Sequence, residues 1–149
     1  MTELDLLLAA YAEFTASIAD IPDAKAQELR EVFGRVPQFV AHARAAQASD
    51  AQIARGLEEG LHELPGLLAG VEPHWRSAVS RALHQALAHA MPGFVASQQQ
   101  QVAAIVDAGE IQSDAQLHLV QHRIAVLEAE AELPPQLQPL YALVRGYRG

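Results

Sequence analysis

Apolar residues in this 149-residue chain return at every third or fourth position from one end to the other. Nowhere do they alternate with polar residues for long enough to make a strand. Side chains three and four apart share one face of an α-helix, whereas a half-buried strand needs a period of two. That regularity restricts the chain to an all-α architecture. Composition agrees where it bears on the point. There are 29 alanines, and threonine occurs only at Thr2 and Thr15. Alanine, leucine and glutamine lose little freedom in a helix, while strands favour β-branched and aromatic side chains.

The stripes and their punctuation divide the chain. Leu4, Leu7, Leu8, Tyr11, Phe14 and Ile18 make the first helix, with Thr2 and Asp5 placed as a capping box. Pro22 ends it and suits the first position of the next, which runs to about residue 48. The second stripe (Leu29, Val32, Phe33, Val36, then Phe39 or Val40, and Ala43) continues through Pro37. A proline inside a helix forfeits one backbone bond, so a bend is expected between Gly34 and Pro37. Ser49 with Gln52 opens the third helix, lined by Ile53, Leu57, Leu61 and Leu64, and Pro65-Gly66 is expected to stop it. Pro73 opens the fourth. Its stripe from Trp75 to Met91 resumes after Pro92-Gly93 as far as Val106, which predicts a second bend. Gly109 closes that element. Ser113 and Gln116 start a helix to about residue 133 with two stripes: Leu117, Val120, Ile124 and Leu127, and then Leu119, Val126 and Leu133. A helix apolar on two sides is packed from two sides, so this one is expected to be the most buried. Pro134-Pro135 ends it, and a last helix spans about 136–147. The prediction is one all-α domain over residues 1–149. It is a bundle of five to seven mostly antiparallel helices, bent near Gly34-Pro37 and Pro92-Gly93. Ser49-Asp50-Ala51-Gln52 and Ser113-Asp114-Ala115-Gln116 repeat one another, which their shared role as helix starts explains without duplication.

Several functions are excluded or disfavoured. The net charge is −8, with Lys25 the single lysine, which argues against a nucleic-acid backbone as partner. No cysteine is present, so thiolate metal sites and disulfides are absent. No run of about 18 uncharged apolar residues is available to cross a membrane. Met1 to Ala19 carries Glu3, Asp5 and Glu13 and lacks the make-up of a signal peptide, so a cytoplasmic location is expected. There is no phosphate-binding glycine loop and no Gly-x-Ser-x-Gly turn, so no catalytic residue is assigned.

Two kinds of candidate remain. Seven histidines are the one unusual supply of reactive groups. His118 and His122, four apart, share a helix face and could hold a metal ion if a third ligand came from elsewhere, such as His42, His84 or His89. Otherwise they sit at a helix seam, bonded to carbonyls or water. Glu59 and His62 have the Glu-x-x-His spacing of di-iron bundles, but that unit is not repeated here, so a solvated acidic face is expected. Phe39-Val40-Ala41-His42 in an early helix, Leu117-His118-Leu119-Val120-Gln121-His122-Arg123 in a late one and Pro134-Pro135 after it resemble the DinB-like metal-binding bundles. Ile124-Ala125 stands where that family has Gly-Gln. The resemblance implies a divalent metal such as zinc or nickel on His42, His118 and His122, and a metal-dependent enzyme. The second kind of candidate is acidic: Glu58, Glu59 and Glu63, and then Glu128, Glu130 and Glu132 near a helix end whose dipole disfavours them. Such surfaces either keep a protein soluble or steer and dock a basic partner. The leading expectation is a non-enzymatic acidic interaction module of the adaptor, chaperone or antidote type. It would bind a protein partner, basic or a second copy of itself, without a cofactor. The metal-binding bundle is the alternative. A small-ligand regulator with a cavity between helices is a third option, though no residue pattern locates the pocket.

Overall fold

Helix starts follow local chemistry. In the computed structural model, which describes residues 1–149, α1 (Glu3–Ser17) opens on the Thr2–Asp5 capping box. Pro22 does not begin the next helix. Asp23 does, accepting from the Ala26 amide at 2.9 Å ahead of α2 (Ala24–Gly34). The other oxygen of this buried carboxylate accepts from the Glu72 amide at 3.2 Å. α3 (Val36–Ala45) and α6 (Pro92–Ala108) each begin with proline in their first turn, because the first amides of a helix have no acceptor to lose. α4 (Asp50–Leu68) and α7 (Asp114–Glu128) are capped by Ser49 and Ser113. In the second case the Gln116 side chain accepts from Gln112 rather than closing the box. α5 (Pro73–Ala90) and α8 (Leu137–Gly146) complete an all-α bundle without strands. Both expected bends are breaks, at Arg35 and Met91, so the elements number eight.

Two helix ends differ from the sequence prediction. Pro65-Gly66 does not stop α4, which runs on to Leu68. The proline withdraws one bond from the Leu61 carbonyl. Burial of Leu61, Leu64 and Leu68 offsets the loss at about 1.5–3 kcal/mol per fully buried leucine. Arg76 then closes the end, its Nη2 donating to the carbonyls of Ala69 (3.2 Å) and Val71 (2.9 Å). α7, in contrast, ends at Glu128 instead of about residue 133, and Leu133 is exposed.

Apolar packing falls into two clusters. The larger, of 23 buried residues, is built by α1 to α5 with Val95 of α6. The smaller, of 8, joins Val102 and Ile105 of α6, Ile111, Val120 and Leu127, and Leu137, Leu140 and Leu143 of α8. α7 lies between them and packs against α4, α5, α6 and α8, the two-sided burial its double stripe implies. No helix is long and apolar enough to cross a membrane.

Candidate functional site

The continuation of α4 past Pro65 shapes the principal cleft. It carries His62, Glu63 and Gly66 along one wall. α6 supplies Gln98 and Gln101 to the cleft, the α6–α7 connection supplies Glu110, and α7 supplies His118. The enclosed space is about 750 Å³, within the range of small-ligand sites. Gly66 matters to its shape. A Cβ there would stand 3.1 Å from the His118 Nδ1, so the missing side chain lets that ring lie against α4. The His62 ring leans on Phe94 with centroids 4.9 Å apart. Glu63 and Glu110 are the charged residues of the lining, and no lysine or arginine borders the cleft. Glutamines 98, 101, 112 and 116 add amide donors and acceptors.

His122 faces away from this cleft. It is buried on α7 beside His84 of α5, Gln98 of α6 and Arg123. Burial, with the His84 and Arg123 charges second and third, pushes its pKa down to about 3, so the ring is neutral. His84 is also lowered, by burial and then by Arg123, with the Glu130 carboxylate opposing. The His122 Nδ1 and the Ser80 hydroxyl are buried without a hydrogen-bond partner. The space among His84, Gln98, His122 and Arg123 is about 10 Å³, no more than one water occupies. These side chains therefore pack on one another and leave no room for an organic ligand.

The structure does not assemble the histidine trio. His42 is exposed on α3, His118 lines the cleft, and His122 is turned to the α5–α6 side. No three potential ligand side chains converge anywhere in the molecule, so the residues present do not fit the metal implied by the DinB-like likeness. The acidic clusters divide as well. Glu63 enters the cleft, while Glu58 is half-buried and Glu59 exposed on the same helix. Glu128 accepts from the Tyr141 hydroxyl at 2.6 Å, and Glu130 and Glu132 follow the end of α7. The hydrogen bond to Glu128 raises the Tyr141 pKa. Glu110 was not identifiable from sequence. It stands in a short connection outside any stripe, and its partner Glu63 is brought near only by the packing of α4 against α7.

No protein family, curated protein or solved structure matches the chain.

Proposed function

We propose that this protein is a binding module, not a catalyst, and that the cleft between α4, α6 and α7 receives a basic segment of a protein partner. One observation carries this reading: Glu63 and Glu110 border a single cleft that has no lysine or arginine in its lining. Neither carboxylate takes part in an ion pair within the chain, whose three pairs are Lys25–Glu28, Arg44–Asp50 and His89–Glu13. A cationic side chain entering between them would exchange water for charge-assisted hydrogen bonds. The glutamine amides would accept from its remaining donors. The overall charge of −8 would speed the encounter at low salt.

The test is fluorescence anisotropy of a labelled arginine-rich decapeptide against the intact protein, with Glu63→Gln and Glu110→Gln singly and together. Binding is expected to be saturable and to weaken about tenfold or more in the double variant, the loss of charge-assisted contacts that stabilise by about 1.5–3 kcal/mol each. Raising salt from about 0.05 to 0.3 M should weaken it further, since the cleft is open to solvent. Absence of saturable binding at low salt, or a double variant that binds within twofold of the parent, would remove the proposal.

A further inference from the structure

A second cleft, of about 320 Å³, opens where α5, α7 and α8 meet. Its charge is opposite to that of the first. Arg76 of α5 and Arg145 of α8 both border it, and the one acidic residue in the lining is Glu128. That carboxylate already accepts from the Tyr141 hydroxyl at 2.6 Å. Two guanidinium groups against one engaged carboxylate leave a local charge of about +1 on a chain whose total is −8. No other cleft described here has two cationic side chains on its wall.

The arginines differ in what they have left to offer. Arg76 uses its Nη2 to hold the end of α4, which fixes the guanidinium plane, yet its Nε is buried and has no hydrogen-bond partner. Arg145 makes no ion pair or side-chain hydrogen bond, so all its donors are free. Ser77 and Gln121 add a hydroxyl and an amide to the lining. Ile124 and Val144 supply an apolar wall. A guanidinium presents a planar fork of donors that matches the oxygens of a carboxylate or phosphate. A rigid arginine and a free one on one small cleft form a clamp for such a group, with the apolar wall left for a short carbon body.

We infer that this cleft binds a small organic oxyanion, a carboxylate or phosphate monoester carrying a short apolar group, between Arg76 and Arg145. The site is independent of the acidic cleft and does not rest on the function proposed for it. Both head groups share the chemistry that the arginines recognise. The probes distinguish them: phenyl phosphate, benzoate and inorganic phosphate, each titrated by calorimetry into the whole protein at low salt.

Saturable one-to-one binding of phenyl phosphate or benzoate is expected. Arg145→Gln, an exposed substitution, should weaken it at least tenfold, and Glu128→Gln should tighten it several-fold by removing the opposing charge. Arg76→Lys keeps the charge while removing the buried Nε, and should weaken binding with the helical circular dichroism intact. If Arg76→Lys fails to fold, the Arg145 and Glu128 variants decide the matter alone. No saturable binding of either organic probe at millimolar concentration, or an Arg145→Gln variant within twofold of the parent, would overturn the inference. Inorganic phosphate binding as tightly as phenyl phosphate would overturn the role given to the apolar wall.

Discussion

The two halves of this bundle are held together differently. The α1–α5 body is closed by 23 buried apolar residues, with Leu7, Phe14, Ile18 and Leu64 almost wholly shielded. The α6–α8 layer has 8. Along the seam between them the apolar packing gives way. Gln98 and His122 are buried there, and both clefts discussed above lie along it. A large continuous core leaves little space for polar groups. A thin layer laid over it meets it imperfectly, and the gaps fill with histidine, glutamine, carboxylate and guanidinium groups. The difference teaches where recognition can reside: on the side of the molecule whose packing is not already committed to stability.

Substitutions can break or sharpen that contrast. The largest effect is expected in the body. Phe14→Ala should cost about 3–5 kcal/mol, because the ring is fully buried and its neighbours cannot collapse onto the void. Urea denaturation followed by circular dichroism measures it. Leu140→Ala in the small cluster should cost less, about 2–3 kcal/mol, since α8 packs against only α6 and α7. Equal losses for the two would erase the distinction between body and layer.

The seam itself should respond to acid. The His122 pKa lies near 3 in the folded chain against 6.5 when unfolded, so the unfolded chain binds the proton more readily. Stability from this residue is complete above about pH 6.5 and is lost as pH falls from there toward 3. The loss should reach about 2 kcal/mol by pH 5, at about 1.4 kcal/mol for each pH unit. His122→Gln removes that titration. If its stability between pH 7.5 and 5 falls as steeply as the parent's, the buried neutral histidine is not the cause.

The smallest effects separate two glycines one turn apart on α4. Gly56 has open space around it, so Gly56→Ala should stabilise by about 0.5–1 kcal/mol through helix propensity alone. At Gly60 a Cβ would stand 2.6 Å from the Tyr11 hydroxyl, which donates to the Leu57 carbonyl at 2.6 Å. Gly60→Ala should therefore lose that buried bond and destabilise by about 1 kcal/mol net. Thermal melts of the pair suffice. A stabilised Gly60→Ala would mean that the tyrosine contact holds nothing.

The frame was legible in the sequence because helix periodicity and caps are local. Leu4, Leu7, Tyr11 and Phe14 declare their face without reference to anything distant, and Gly34 to Pro37 and Pro92 mark breaks for reasons contained within one turn. Pro65 misled for the converse reason. Whether a helix survives a proline depends on what the residues beyond it bury, and Leu68 finds its partners in other helices. The candidate sites were only partly legible. Glu63 stood out as part of a run, but Glu110 and the Arg76–Arg145 pair acquire meaning only when distant segments meet. The spacing of His118 and His122 promised a shared face, yet four residues make slightly more than one turn. One ring enters the cleft and the other the opposite seam.

Native-state hydrogen exchange, read residue by residue, tests most directly whether the body carries the stability and the layer remains free to serve binding. The amides of α8 and of the second half of α6 should exchange through openings well below the free energy of global unfolding. Those of α1, α4 and α5 should exchange only with the whole molecule. If α8 and α6 exchange at the same free energy as α1, the bundle is one cooperative unit and the distinction drawn between its halves is wrong.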